Sequence, residues 1–282
     1  MKWKIITDSG CDLREMDPIA PNTEYVNVPL TIQVGERAFV DSKDLDINQM
    51  MTEMYAYEGK TSSSCPSPEA YVSSFEGADN VLVVTITGTL SGSYNSAELA
   101  KKIYLEQHPN ANVHVYNTLS ASGEMILLAQ KLNQLIEEGL GFDQVVKEGQ
   151  DYLNSTRLLF VLANVDNLVK NGRLNKLIGR VVGLLNIRMV GRASDEGTLE
   201  LLQKPRGQKK AVAALFNEML KAGYQGGRVF ISHCNNPEIC AQITIAVHEK
   251  FPGADIQSIP TSGLCSYYAE QAGILMGYEV NK

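Results

Sequence analysis

The stretch at residues 81–97 constrains the fold of this chain more than any other. Residues 81–86 are β-branched or apolar, which predicts a strand buried on both faces. A loop of glycine and small hydroxyl residues follows, and a helical pattern begins near Asn95. A strand, a polar loop and a helix in this order form the unit of an open α/β sheet, where ligands bind beyond the carboxyl ends of the strands.

The polar loop of this unit contains groups that suit an anion. A helix N-terminus has free N–H groups and a partial positive charge. Glycines such as Gly92 let the backbone approach a ligand, and the hydroxyl groups of Ser91 and Ser93 add donors. The loop therefore predicts a pocket for one carboxylate or phosphate. An ordinary turn with a serine cap explains the same residues, and this stretch alone favours neither interpretation.

A second loop of the same kind is predicted at residues 61–68. It contains four consecutive hydroxyl residues, from Thr61 to Ser64, followed by two prolines. Because Pro68 suits the first turn of a helix, this loop would also present a helix N-terminus among hydroxyl groups. A flexible linker is the alternative, although proline leaves such a loop few conformations.

The order of the predicted elements indicates two α/β domains. Strands alternate with helices over residues 1–157, which favours a mostly parallel sheet with helices on both faces. In residues 158–282 a predicted hairpin around 195–197 breaks the alternation and favours a mixed sheet with helices. The same patterns predict a single strand over 25–32 and a last helix over 266–276.

Charge and hydropathy exclude several classes of protein. The 282 residues carry a net charge of −7, which argues against nucleic acid or an anionic membrane as the main partner. No apolar run approaches the roughly 20 residues that span a bilayer, and the first residues do not read as a signal peptide. We therefore expect a cytoplasmic protein without stable membrane insertion. The five cysteines lack C-x-x-C spacing, which predicts free thiols and no metal site.

Basic residues form a stripe in the second half of the chain. Lys170, Arg173, Lys176 and Arg180 recur at helical spacing, and further positive charge follows at 204–206. A solvated surface is the ordinary interpretation of such a stripe. In an acidic chain it is also a candidate docking surface for an acidic partner.

Motifs of several common enzyme classes are absent from the sequence. It contains no dinucleotide-binding G-x-G-x-x-G after the first strand, no P-loop, no G-x-S-x-G elbow and no H-E-x-x-H. Acidic residues occur near the loops, but no pair or cluster of them suggests an acid–base or metal centre. A pocket rich in donors and poor in groups that transfer protons favours binding over catalysis.

Five motifs together resemble those of the DegV family of fatty-acid-binding proteins. They are Thr7-Asp8-Ser9-x-x-Asp12-Leu13, Thr61-Ser62-Ser63 with Pro66-Ser67-Pro68, Leu90-Ser91-Gly92-Ser93-Tyr94-Asn95-Ser96-Ala97, Lys170-Asn171-Gly172-Arg173-Leu174, and Lys204-x-Arg206-Gly207. They occur in the family's order and span almost the whole chain. Any one of them is a weak signal, whereas all five in register are a strong one.

The resemblance implies two α/β domains that hold a long-chain fatty acid between them, with its tail in an apolar tunnel. It also implies that hydroxyl groups in the two loops bind the carboxylate. The residues expected at the carboxylate are Thr61, Ser62, Ser91, Gly92, Ser93 and Ser266. The family often has a His-Thr-Gly-Pro-Gly segment before the last helix. This chain lacks that histidine, and Cys265 or Ser266 stands near its place.

The resemblance further implies a protein partner. Some members of the family present the carboxylate to a separate fatty acid kinase, which makes an acyl phosphate. In those members the residues matched here by Arg173, Lys204 and Arg206 face the kinase, which agrees with the basic stripe. The fatty acid would be the ligand, with no other cofactor, and we expect a monomer or a weak dimer.

Two classes of function therefore remain in competition. The first is a non-enzymatic carrier of a long-chain fatty acid, which needs a long apolar tunnel. The alternative is an enzyme or sensor for a small phosphorylated or carboxylated metabolite, which needs a short pocket lined with carboxylates or a metal. The depth and lining of the pocket distinguish them.

Overall fold

The N-terminal part of the chain is built on a four-stranded parallel sheet. A computed structural model describes residues 1–179, 182 and 186–280. The strands are β1 (Trp3–Asp8), β2 (Thr23–Val28), β6 (Asn80–Thr85) and β7 (Asn112–Asn117), in the order β2-β1-β6-β7. Every residue of β6 is buried, which confirms the strand predicted at 81–86.

Helices cover both faces of this sheet, as predicted. They are α2 (Pro68–Phe75) and α3 (Ser93–Gln107) on one face, and α4 (Gly123–Glu137) and α5 (Phe142–Asn154) on the other. Side chains alternate along β1, so Ile6 packs with α2 and α3 whereas Ile5 packs with α4 and α5. The helix expected near Asn95 begins two residues earlier, at Ser93.

A small antiparallel sheet corrects two predictions. Its strands are β3 (Thr31–Val34), β4 (Arg37–Val40) and β5 (Thr61–Ser64), in the order β4-β3-β5, and α1 (Ile47–Ala56) lies between β4 and β5 in the chain. The single strand expected over 25–32 is two strands separated at Pro29, which has no N–H for a ladder. The expected loop at 61–68 begins as a strand, because residues 61–64 pair with β3.

The C-terminal part is built on a six-stranded mixed sheet, as predicted. The strands are β8 (Thr156–Leu162), β9 (Met189–Ala193), β10 (Leu199–Gln203), β11 (Val229–His233), β12 (Ile256–Pro260) and β13 (Ile274–Glu279), in the order β10-β9-β8-β13-β11-β12. The helices are α6 (Asp166–Lys170), α7 (Lys176–Gly179), α8 (Gln208–Lys221), α9 (Pro237–Lys250) and α10 (Gly263–Ala269). The hairpin expected around 195–197 connects β9 and β10.

The last helix predicted over 266–276 is wrong. Helix α10 ends at Ala269, and the chain continues into β13, which pairs with β8 on one side and β11 on the other. Positive φ angles at Glu270 and Ala272 turn the chain between the two elements. A short apolar run such as 274–276 fits a buried strand as well as a helix, so periodicity could not decide.

Helix α4 joins the two parts of the molecule. A Cβ at Gly123 would lie 2.3 Å from the Phe230 carbonyl oxygen and 2.5 Å from the Gly277 nitrogen. The first turn of α4 therefore rests directly on strands β11 and β13. The domain boundary at 157/158 stays a prediction, and it falls just inside β8. In the described part of the chain, the helices are too short or too polar to cross a bilayer.

Candidate functional site

A cavity of about 330 Å³ lies between the parallel sheet and the mixed sheet. This volume falls within the range of small-molecule sites, roughly 300–1,000 Å³. Leu158, Phe160 and Leu162 line it along β8, because alternate residues of a strand face the same side. Leucines from the loops of the N-terminal part, such as Leu30 and Leu90, form the opposite wall. The cavity is therefore lined mainly by hydrocarbon.

A group of neighbouring residues, most of them polar, lines one region of the cavity, which we call the polar end. Its residues are Ser63, Ser64, Cys65, Ser91, Gly92, Arg173 and Tyr268. Three further hydroxyl residues, Thr87, Ser120 and Thr198, line the cavity near Leu119 and the β9–β10 hairpin. A Cβ at Gly92 would lie only 2.9 Å from the Cys65 sulfur, so the loops after β5 and β6 touch. The structure thus brings together the two hydroxyl-rich segments that the sequence singled out.

Ser91 is positioned by Ser93 of its own loop, and the buried Asp8 holds the backbone at the start of that loop. The Ser91 hydroxyl oxygen lies 3.1 Å from that of Ser93 and accepts a hydrogen bond from the Ser93 backbone N–H. The carboxylate of Asp8 accepts hydrogen bonds from the backbone N–H groups of Gly10 and Ile86, each at 2.9 Å. Burial raises the pKa of Asp8 to about 7, although these two bonds oppose the shift.

Arg173 places a cation at the polar end. Its guanidinium carbon lies 5.9 Å from the centre of the Tyr268 ring, and its Nη1 donates to the Asn171 carbonyl. The Tyr268 hydroxyl lies 2.8 Å from that of Ser63. No ion pair involves Arg173 among the described residues. A guanidinium with free donors beside hydroxyl groups suits a carboxylate.

Four residues expected at the carboxylate are not among the residues that line the cavity: Thr61, Ser62, Ser93 and Ser266. Thr61 is 3% exposed, and its hydroxyl lies 2.7 Å from that of Tyr267. Ser266 is 1% exposed, and its hydroxyl lies 2.7 Å from that of Thr261. Their contact with a ligand stays a prediction, whereas Ser91 and Gly92 do line the cavity.

Cys265 and not Ser266 faces the cavity where the family often has its histidine. The Cys265 thiol donates to the Gly10 carbonyl at 3.5 Å. Burial raises the pKa of this thiol well above its usual value, so it is a neutral group. It can shape the cavity wall but supplies no positive charge.

Two buried aspartates hold α10 against the N-terminal loops. Asp41 accepts hydrogen bonds from the Gly263 and Leu264 N–H groups, both at 2.8 Å, and its carboxylate pairs with Arg14 at 2.6 Å. Asp12 accepts from the N–H of Ser262 at 2.7 Å. No local sequence pattern assigns a role to these two acids, because their partners lie more than 200 residues away in the chain.

The segment that carries Arg173 is anchored to α10 as well. The Asn171 side chain donates to the Tyr267 hydroxyl at 2.8 Å, and the Asn167 side chain donates to the Tyr267 carbonyl at 2.9 Å. The Glu270 carboxylate accepts from the Asn167 backbone N–H at 2.9 Å. These contacts connect the cavity wall to the basic residues at its rim.

Of the other basic residues, Lys170, Lys176, Lys204 and Arg206 are exposed. Arg180 lies outside the described residues. The described part of the chain holds no group of three or more His, Cys, Asp or Glu side chains that could bind a metal ion. Its cysteines are free thiols, four of them buried.

Comparison with known proteins agrees with this geometry. A family model described as "Uncharacterised protein, DegV family" matches residues 2–276. The chain belongs to the DegV family. A DegV domain-containing protein from Streptococcus gordonii is 62% identical over 280 residues, which cover 99% of this chain and 100% of the relative.

Two solved structures of similar proteins contain a fatty acid. The Fatty Acid Kinase (Fak) B3 protein of Streptococcus pneumoniae, loaded with linoleic acid, is 60% identical, with a TM-score of 0.99 over 100% of both chains. A DegV family protein from Eubacterium eligens, loaded with heptadecanoic acid, is 35% identical, with a TM-score of 0.95 over 99% of this chain and 100% of that one.

Proposed function

We propose that this protein is a non-enzymatic carrier that binds a long-chain fatty acid in the cavity between its two larger sheets. The observation that carries the proposal is a cavity lined mainly by hydrocarbon, in which serine hydroxyl groups and an arginine lie together at the polar end. Hydrogen bonds from these groups would orient a carboxylate. Burial of the alkyl chain would supply affinity, about 0.8 kcal/mol for each CH₂.

We assign the carboxylate to Ser91 and the Gly92 backbone, with Ser63, Ser64 and Arg173 beside them. Ser63 and Ser64 take the place first expected for Thr61 and Ser62, because they lie where β5 reaches the cavity. Ser93 would orient the Ser91 hydroxyl. Thr61 and Ser266 would support helix α10 from behind.

A small anionic metabolite explains this geometry less well. It would occupy the polar end and leave the apolar side chains without a partner, although they form most of the cavity lining. The fatty acids in the pneumococcal and Eubacterium relatives have an anionic head and a long hydrocarbon tail, which match both parts of the cavity. We therefore favour a fatty acid over a metabolite.

We further propose that the carrier acts in the cytoplasm and presents the carboxylate to a fatty acid kinase. Support comes from the name of the pneumococcal relative and from the position of Arg173 at the polar end. Lys204 and Arg206 are exposed and make no ion pair with the described residues, so they are available to an acidic partner. These three residues form the proposed kinase-facing surface.

Extraction of the purified protein tests the carrier proposal. The protein is denatured, extracted with organic solvent and analysed by mass spectrometry, and the delipidated protein is then titrated with fatty acids. We expect a co-purified long-chain acid and tight rebinding. Absence of any acyl chain, together with no uptake of added fatty acid, would contradict the proposal.

Charge reversal tests the kinase proposal separately. Arg206→Glu and Lys204→Glu should lower the rate of acyl phosphate formation by a purified fatty acid kinase and leave fatty acid binding intact. Lys210→Glu, an exposed lysine in the first turn of α8, is the matched control. Equal rates for all three variants would count against this surface.

A further inference from the structure

A second cavity, of about 270 Å³, lies next to the first and differs from it in character. Its walls carry amide and charged side chains, among them Asn117, Glu124, Gln150, Asn154, Arg157 and Asp195. A polar cavity thus adjoins the apolar one. The side chains between the two cavities therefore limit how far an apolar ligand can extend.

The partition between the two cavities consists of Leu119, Leu158 and Ala193, which line both. Leu159 pairs with Arg192 in the antiparallel ladder, so Leu158 and Ala193 lie side by side on β8 and β9. Leu119 belongs to the loop after β7 and closes the partition from the N-terminal side. Leu158 and Ala193 lie on strands of the mixed sheet, whereas Leu119 lies in a loop.

Leu119 is held in a conformation that leucine rarely adopts. Its φ angle is +53°, in the left-handed region that disfavours residues with a Cβ. The Asn117 side chain accepts a hydrogen bond from the Leu119 N–H at 3.3 Å. A Cβ at Gly197 would lie 3.1 Å from the Leu119 Cα, so the β9–β10 hairpin packs directly against it. Strain fixed in this way by its surroundings is typical of functional sites.

We propose that Leu119 sets the length of the acyl chain that the cavity accepts. The inference rests on the proposed function. The partition lies at Leu158, whereas Leu162, four residues further along β8, packs in one cluster with Tyr268 of the polar end. Four residues of strand span about 13 Å. A methyl end that reaches the partition meets the Leu119 side chain, and beyond it lie polar groups whose desolvation opposes further entry.

The test is the chain-length profile of Leu119→Gly. Glycine adopts a φ of +53° without strain, so this variant should fold. The space of the lost side chain should admit about two further methylenes, each of which strengthens binding about fourfold when buried. Titration of delipidated protein with saturated acids of increasing length should show the optimum shifted to longer acids, with a gain of about fifteenfold for an acid about two carbons longer.

Two further variants make the result specific to this position. Leu119→Asn tolerates the left-handed conformation and retains a side chain of similar size, so it should keep the wild-type optimum. Leu162→Ala removes a leucine from the same cavity away from the partition and should weaken all acids alike. An optimum in Leu119→Gly identical to that of the wild type would overturn the inference alone. A wild-type protein that binds no acid would overturn the proposed function.

Discussion

Two hydroxyl residues of β5 differ in what covers them. Thr61 and Ser63 lie on the same face of β5, yet only Ser63 lines the cavity, because Tyr267 covers Thr61. No local pattern shows which hydroxyl a tyrosine more than 200 residues away will cover.

This difference predicts opposite effects for two substitutions on β5. Ser63→Ala should weaken fatty acid binding and change stability little, since Ser63 is half-buried at the cavity. Thr61→Val should destabilise the fold by about 1–3 kcal/mol, because the buried Tyr267 hydroxyl loses a partner. Isothermal titration and urea unfolding measure the two effects. If folded Thr61→Val lost more fatty acid affinity than Ser63→Ala, Thr61 and not Ser63 would bind the carboxylate.

At the scale of elements, long and strongly patterned segments were predictable and short ones were not. The β6–α3 unit was predicted from a continuous β-branched run and a helical pattern next to it. Residues 274–276 are equally apolar but are preceded by a turn with two positive φ angles at non-glycine residues, which the sequence does not signal. The sequence places the last helix at 266–276 and not at 263–269 for the same reason. This helix contributes several residues to the cavity wall.

The short helix α10 should depend on Asp41 for its position. Asp41→Asn replaces one of the two carboxylate oxygens that accept from Gly263 and Leu264 with a donor, and it removes the charge that pairs with Arg14. We expect a loss of about 3–5 kcal/mol in unfolding free energy, followed by Trp3 fluorescence, and weaker fatty acid binding.

Asp44→Asn is the matched control for this prediction, because Asp44 is exposed in the same loop. Asp44→Asn should change neither the unfolding free energy nor the affinity for fatty acid measurably. If Asp41→Asn behaved like the control, the two hydrogen bonds would not be what holds α10 against the cavity.

Across the whole molecule, the two larger sheets share a core through α4, and the C-terminal part contains a buried acid, Glu270, that accepts hydrogen bonds from Asn164 and Asn167. Burial raises the pKa of Glu270 from 4.5 to about 7, a shift that the Asn167 N–H opposes. The folded state therefore retains a proton that the unfolded chain has already lost. The contribution of the Glu270 carboxyl group to folding stability is therefore greatest below about pH 4.5, and it is lost as the pH rises towards 7.

Glu270→Gln should remove this part of the pH dependence. The neutral amide can still accept from Asn167, and it has no charge to bury at high pH. The stability of the variant relative to the wild type should rise between pH 5 and pH 8, by about 3 kcal/mol at most. Urea unfolding across this range measures it. A constant difference would show that Glu270 titrates normally in the folded protein.

The most direct test of the account is a crystal structure with a long-chain fatty acid brominated at its terminal carbon. Anomalous scattering locates the bromine independently of how the chain is traced. We predict a bromine peak at the partition of Leu119, Leu158 and Ala193, with the carboxylate beside Ser91 and Arg173. A peak beside Ser91, or outside the cavity between the sheets, would contradict the account.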